Sequence, residues 1–436
     1  MDERRYECPI LSRLPRLMRE VRESQRDLWG VLQSAAIPWL DSIGTLAALN
    51  RRERPAKFSG HRHRIESWAA AVALLLANGL SQANDASVST CTFPSNEAIR
   101  DLLVQRIDVN HQAVGMVVGV IDASGSRVVS YGFLDKENRQ HVDGSTVFEI
   151  GSLTKLFTSL LLADAAEKGE LSLNAPVARY LPGLRIPERG RAMTLQDLAL
   201  HISGLPRDPP PIARTPAEHF AAYDLPQLRR FLETYTLDRG VGEKFEYSNL
   251  GVGLLGLALE GALGKEYQDL IRERITGPLG MEDTSEIPSR RMRAHLSEGH
   301  DGDLDRVPPS SWSHPYRAAG SLRSTASDLL KFLSAQLGLH STALQPAFAR
   351  LLAVRHETGT AGLEAALGWS VATDRGLVID SLSGTTAGFT TFIGFEPNLK
   401  LGIVVLSNAL ASVSPDDIGL HLLNPRYKLV ERFSSQ

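Results

Sequence analysis

The sequence predicts a mixed α/β (α+β) fold: an antiparallel sheet flanked by helices, with a mostly helical insertion. Three observations carry this. Val114–Asp122 and Arg127–Phe133 are two β-rich runs joined by Ala123-Ser124-Gly125-Ser126, a hairpin signal. Near the other end, Thr385–Glu396 and Leu401–Leu406 form a second β-rich pair around the turn Pro397-Asn398. Between them stand long apolar runs, Leu156–Ala166 and Leu250–Leu263, that suit buried helices. Strands at both ends with helices between suggest one sheet built from the two termini, although element order alone does not fix it.

Taken in order, the elements begin with a helix over Asn96–Ile107, ahead of the hairpin. A long helix is expected from Ser152 to about Lys168, stopped by Gly169, since glycine readily takes the left-handed conformation that closes a helix. Arg207-Asp208-Pro209-Pro210-Pro211 excludes regular structure, because proline lacks the donor that helices and ladders need. Ser248 or Asn249 is placed to cap the run behind it.

The region before residue 96 reads differently. Residues 1–60 hold many arginines and no domain-sized apolar core, and form an N-terminal extension or the product of a start assigned too far upstream. Residues 61–83 follow the order of a secretory signal: Arg62 and Arg64, the apolar run Trp68–Ala77, then Ser81-Gln82-Ala83. The run is too short to favour a membrane span. Residues 84–95 look like a linker, 96–410 the folded domain, and 411–436 a C-terminal helix or tail. The expected location is periplasmic or secreted, with an uncleaved membrane anchor as the other arrangement. Cleavage after Ala83 would leave Cys91 without Cys8, hence no internal disulfide.

Composition bounds the function. Hydrophobic residues at 43% and charged residues at 22% describe a globular chain rather than a disordered one. A net charge of −3 argues against nucleic acid as a partner. The sequence carries no zinc-type Cys/His spacing, phosphate loop or dinucleotide fingerprint, so neither metal nor cofactor is expected. His61 and His63 read as solvated.

Chemistry concentrates at Phe148-Glu149-Ile150-Gly151-Ser152-Leu153-Thr154-Lys155. Residues three apart share one helix face, which places Ser152 and Lys155 together. A lysine whose pKa is lowered by burial can draw the serine proton and make a nucleophile of it. The same spacing also fits a serine cap beside a solvated lysine. The apolar run that follows tips the balance, because a lysine inside a buried helix needs a reason to be there. About a hundred residues on stands Glu246-Tyr247-Ser248-Asn249. Here Tyr247 offers a phenol that can relay protons and Asn249 an amide that can bind a substrate carbonyl.

Together, Ser-x-x-Lys and Tyr-x-Asn resemble the serine β-lactamase and penicillin-binding-protein superfamily, and most closely its class C β-lactamase-like branch. Further stretches are similar in order and kind: Leu173–Val177, Thr194–Leu198 with His201–Pro206, Pro278–Thr284, Ala319–Leu329, Gly368-Trp369 and Gly402–Asn408. The resemblance covers roughly residues 95–410. It implies a β-lactamase/transpeptidase-like fold, a catalytic set of Ser152, Lys155 and Tyr247, and substrate binding by Asn249, Ser383, Gly384 and Thr385. It also implies an oxyanion hole made by the backbone N–H groups of Ser152 and Thr385. His201 is expected to serve local structure.

The third motif departs from the pattern. Where the family has Lys-Thr-Gly or His-x-Gly, this chain reads Leu382-Ser383-Gly384-Thr385. Leucine cannot tune the tyrosine or attract a carboxylate. The expectation is an exported serine hydrolase acting through an acyl-enzyme, with a D-alanyl-D-alanine carboxypeptidase/endopeptidase on cell-wall peptides as the leading substrate reading. A class C-like β-lactamase or an esterase is the alternative. A non-catalytic protein that kept the fold to bind peptidoglycan or another ligand is the rival of a different class, and Leu382 is its support. The partner is a small-molecule or peptide substrate: a peptidoglycan peptide, a β-lactam or an ester. No stable partner is implied.

Overall fold

A computed structural model describes residues 93–430 apart from 138, 210–219, 222 and 411. The signal-like segment, residues 1–60, most of the linker and both cysteines lie outside the described residues. Strands β1 (Gly115–Asp122) and β2 (Gly125–Gly132) form the expected hairpin. Short strands β3 (Phe148–Glu149) and β6 (Arg323–Ser324) pair with each other, as do β4 (Gly299–His300) and β5 (Arg306–Val307). Among the described residues the remaining strands are β7 (Arg355–Glu357), β8 (Leu363–Ala366), β9 (Ser370–Asp374), β10 (Leu377–Thr385), β11 (Thr390–Glu396) and β12 (Leu401–Ser407).

The main sheet has eight strands in the order β2-β1-β12-β11-β10-β9-β8-β7, antiparallel throughout. Its centre joins β1 to β12, with Val118 opposite Val405, so the two ends of the domain share one sheet as expected. Every residue of β11 and β12 is buried. That explains why these strands read as continuous apolar runs rather than alternating ones: helices cover both faces. Helix α4 (Ala326–Gln336) packs on β1 and β12, and α6 (Asp416–Leu423) on β11 and β12. Gly419 of α6 abuts Phe392, whereas Leu333 of α4 abuts Gly402, the cross-strand partner of Phe395. Residues 392 and 395 point to opposite faces of one strand, so the two helices lie on opposite sides of the sheet. Asp417 of α6 also forms a buried ion pair with Arg106 at 2.6 Å, tying the end of the domain to its beginning.

Two boundaries differ from the sequence reading. The first helix is α1 (Asn96–Val104), continued by a π-helical turn at Gln105–Val109. The segment Thr385–Glu396 is not one strand. It spans the end of β10, a turn in which Thr386 N–H bonds Phe389 O, and β11. Strands β7–β9 and most of β10 also stand where no strand was expected.

The helical layer on the inner face holds α2 (Thr154–Glu167), α3 (Asn249–Leu263) and α5 (Gln345–Ala353). Helix α2 is buried from Thr154 to Ala165. It crosses α3 and α5 at the centre of the main core, which includes Leu156, Leu160, Leu254, Leu255 and Phe348. Surrounded on every side, α2 has no polar face and shows no amphipathic period.

Candidate active site

The nucleophile candidate sits where the sheet meets the inner helices. Gly151–Leu153 form a 3-10 turn that runs into α2. Two glycines permit the close approach. Gly151 has φ 52°, in the left-handed region, and a Cβ there would lie 2.9 Å from Thr385 N. A Cβ on Gly384 of β10 would lie 2.2 Å from Ile150 O. The end of β10 and the turn that carries Ser152 therefore touch backbone to backbone, with Thr385 N against Gly151. Thr391 of β11 donates from its hydroxyl to Ile150 O at 3.0 Å, and Ile150 N–H bonds Leu322 O at 3.1 Å. Thr154 accepts from Leu322 N–H. The turn is thus fixed from the sheet and from the Ala319–Leu322 segment.

Ser152 Oγ lies 3.0 Å from Lys155 Nζ and 2.8 Å from the Tyr247 hydroxyl. Lys155 is 1% exposed and also donates to Ala319 O at 2.7 Å. Burial lowers its pKa from the usual lysine range, with the Arg207 charge adding to that. The nearby Tyr247 and Asp208 oppose it. A lysine so placed releases its proton more readily than one in water, as a general base for Ser152 requires. Its nitrogen also lies 4.9 Å from the centre of the Tyr247 ring.

Tyr247 is held from the other side. Ser248 is the N-cap of α3, its Oγ accepting Gly251 N–H at 2.8 Å and donating to Pro206 O at 2.6 Å. Ser248 N–H donates to His201 Nδ1 at 3.1 Å, and the His201 ring stacks on Tyr247 at 4.5 Å between centres. Burial, with the Lys155 charge beside it, pushes the His201 pKa down to about 3. It is therefore a neutral imidazole that accepts a backbone hydrogen bond and packs the tyrosine. This is the structural role expected for it. Helix α3 reaches the site because Gly253 and Gly256 let Pro315 and Ala318 approach it. A Cβ at these positions would lie 2.1 Å from Pro315 O and 2.3 Å from Ala318 Cβ. That docking presents the neighbouring Ala319 O to Lys155.

The substrate-binding candidates fare unevenly. Thr385 and Gly384 adjoin the Ser152 turn. Asn249 stands at the start of α3, but its amide donates to the Asp208 carboxylate at 3.1 and 3.3 Å instead of standing free. Ser383 lies on β10 one residue out of phase with Leu382 and Gly384, and its hydroxyl donates to Asp416 at 2.6 Å. Leu382 shares a face with Gly384 and packs against the core, adding no charge to that wall. Three features of the site were not read from the sequence. These are the Ala319 carbonyl that receives Lys155, the stack of His201 on Tyr247, and the Arg207-Asp208 pair at the mouth. The prolines that mark residues 207–211 as a loop carried no sign that its charges return to the nucleophile.

Elsewhere, an open hollow of about 890 Å³ lies between Tyr180–Leu184, Arg229 and Glu260–Glu266, without Ser152 in its lining. Glu260, Glu266 and His314 beside it hold ligand-type atoms within 4.8 Å of one another. They are already paired, Glu260 with His314 at 2.6 Å and Glu266 with Arg317 at 3.1 Å.

A serine and a lysine one turn apart under an antiparallel sheet, faced by a tyrosine, define the serine-nucleophile hydrolase class. The sequence profile of the beta-lactamase family matches residues 99–424, and the chain belongs to that family of serine hydrolases. It is 34% identical over 244 residues to the D-alanyl-D-alanine-carboxypeptidase/endopeptidase AmpH of Escherichia coli (strain K12), covering 55% of this chain and 61% of that relative. The chain thus matches about three fifths of the relative's length. Among solved structures, a class C beta lactamase from Rhodobacter sphaeroides superposes with a TM-score of 0.65 at 27% identity, over 76% of this chain and 98% of that one. The D-alanine carboxypeptidase AmpC from Burkholderia cenocepacia gives a TM-score of 0.63 at 26% identity, over 76% and 100%. The expected fold and family are both borne out.

Proposed function

We propose that this protein hydrolyses an amide or ester through an acyl-enzyme on Ser152. The observation that carries the reading is Ser152 Oγ held between a buried Lys155 nitrogen at 3.0 Å and the Tyr247 hydroxyl at 2.8 Å. Ser152 Oγ attacks the carbonyl carbon while its proton leaves through the Lys155–Tyr247 pair. The carbonyl oxygen takes up negative charge facing the N–H groups of Ser152 and Thr385, donors of a kind typically worth about 3 kcal/mol each. The tetrahedral species collapses, the leaving group departs with the proton, and Ser152 keeps the acyl group. Water then adds to the ester by the same proton path, releasing the acid and restoring Ser152.

The substrate reading is a cell-wall peptide ending in D-alanyl-D-alanine, cleaved as a carboxypeptidase or endopeptidase. The identity to AmpH supports it. Leu382 favours a second reading, in which neutral esters or amides are preferred to penicillins, since the β10 wall offers no cation to a free carboxylate. Incubation with a fluorescent penicillin and with a D-alanyl-D-alanine peptide, followed by intact mass and product analysis, tests both. A covalent adduct absent from Ser152→Ala, or D-alanine release lost in that variant, supports the hydrolase. Removing a nucleophile costs ~10⁴-fold or more, so retention of more than about a tenth of the rate in Ser152→Ala sinks the assignment.

Export is part of the same reading, on the signal-like order of Arg62–Ala83. N-terminal sequencing of protein from the native host should begin near Asn84. Soluble, active protein that begins at Met1 refutes it.

A further inference from the structure

The hydrolase reading leaves unexplained a charged pair at the mouth of the site. Arg207 follows the His201–Pro206 stretch, and its carbonyl receives the N–H groups of Asn249 and Leu250 at 2.9 and 3.2 Å. Its backbone is therefore fixed to the first turn of α3, the helix that Asn249 opens just after Tyr247. Its guanidinium lies 5.1 Å from the centre of the Tyr247 ring, on a side chain 68% exposed. Among the described residues its one ion pair is with Asp208, through Nε at 3.6 Å, a contact too long for a hydrogen bond. Asp208 in turn is clasped by Asn249 Nδ2. Asp208 thus occupies the asparagine, the backbone bonds to α3 keep an arginine beside the tyrosine, and the fork of that arginine is left exposed. Its charge reaches into the pocket, since it helps lower the pKa of both Lys155 and His201.

Resting on the hydrolase reading, we infer that Arg207 is a specificity-determining residue that receives a carboxylate of the substrate on the helical wall, opposite the uncharged Leu382. Arginine presents paired donors that match a carboxylate in two parallel hydrogen bonds. The path from guanidinium through the Tyr247 ring to Ser152 is short. A substrate whose carboxylate lies within about three extended residues of the scissile carbonyl, at ~3.3 Å per residue, can span it. Asp208 and Asn249 act as positioning residues, holding Arg207 against the ring. The substrate class is then an anionic acyl donor, read from the helix side rather than from β10.

The test compares kcat/KM for matched p-nitrophenyl esters with a neutral or a carboxylated acyl chain, and for one peptide as its free acid and its amide. Wild type, Arg207→Gln and Arg207→Lys are each measured, with Ser152→Ala as control. In Arg207→Gln the carboxylated-to-neutral ratio should fall on the order of ten- to a hundredfold for at least one pair, mainly through KM. Arg207→Lys should keep part of the preference, and added salt should erode it in wild type. If both members of each pair slow together and the acid limb of the rate profile moves, Arg207 acts only through Lys155 and the inference is wrong. Unchanged ratios refute it as well. Hydrolysis of the neutral ester that Ser152→Ala abolishes secures the hydrolase reading independently. If wild type cleaves no ester or peptide and forms no adduct, that reading falls and this one with it.

Discussion

Lys155 shows how a single side chain is set by its surroundings. It is sequestered, yet its nitrogen meets Ser152 Oγ and Ala319 O: protonated it donates to both, and deprotonated it can accept the Ser152 O–H while still donating to Ala319 O. With its pKa lowered by burial, the neutral form needed to take the serine proton becomes available at lower pH than for an ordinary lysine. The rate of acylation should rise with pH on its acid limb, with a midpoint below the usual lysine range. An acid limb at or above the ordinary lysine value would exclude Lys155 as the base. Leu382 is the other informative residue. It points into the same face as Gly384 and brings no cation, so Leu382→Lys should shift preference toward carboxylate-bearing substrates. A charge-assisted hydrogen bond contributes roughly 1.5–3 kcal/mol, or on the order of ten- to a hundredfold in the kcat/KM ratio of a carboxylated ester to its neutral partner. No change in that ratio, in a variant shown to fold, would mean that this wall does not meet the substrate carboxylate. The Ser-x-x-Lys and Tyr-x-Asn residues were legible in the sequence because each motif is local and of fixed spacing. Arg207 and Asp208 were not, since their meaning depends on Tyr247 and Asn249, some forty residues away in the chain.

At the scale of elements, the site is a contact between two backbones. β10 and the Ser152 turn can meet only while residue 384 lacks a side chain, because a Cβ would fall 2.2 Å from Ile150 O and 2.4 Å from Thr391 Oγ1. Neither neighbour is the free end of a flexible chain, so the strand itself must move. Gly384→Ala should cost ~1–3 kcal/mol of stability, the usual range for an overpacked core. It should also lower kcat by at least about a hundredfold, by carrying Thr385 N–H away from Ser152. Denaturant unfolding and single-turnover kinetics measure the two effects. Wild-type turnover in a folded Gly384→Ala protein would show that the Thr385 N–H is not part of the oxyanion hole. The expected hairpin and the long helices were read correctly because their signals are internal to each segment. The β10 strand was read only at its end. Its residues Leu377–Leu382 alternate weakly, with Asp380 buried among them, so no period announced a strand.

Across the whole molecule, the neutral His201 links the site to stability. Its pKa is near 3 when folded and about 6.5 when exposed. As pH falls below about 6.5 the unfolded chain binds a proton that the native chain refuses, so the unfolded state gains and stability drops until about pH 3. Between about pH 7 and pH 4.5 this single group should remove on the order of 3 kcal/mol. Urea unfolding at both pH values, in wild type and His201→Gln, checks it. The variant should lose distinctly less stability over that interval, and an equal loss would show that His201 is not kept neutral by the fold. What the sequence determined by itself is what neighbouring residues settle among themselves. The hairpin, the buried helices, a cap for α3 at Ser248 or Asn249, and the serine–lysine and tyrosine–asparagine spacings are all of this kind. The tertiary structure alone decided which long-range neighbours meet: β1 beside β12, Ala319 O on Lys155, His201 on Tyr247, and Asp208 taking the amide of Asn249. The physical reason is that spacing along a helix or strand fixes geometry over a few residues. Burial and the lowered pKa of Lys155 instead arise from chain segments more than forty residues apart that pack into one dry interior, and the charge at the mouth from a loop pinned to α3 at its rim.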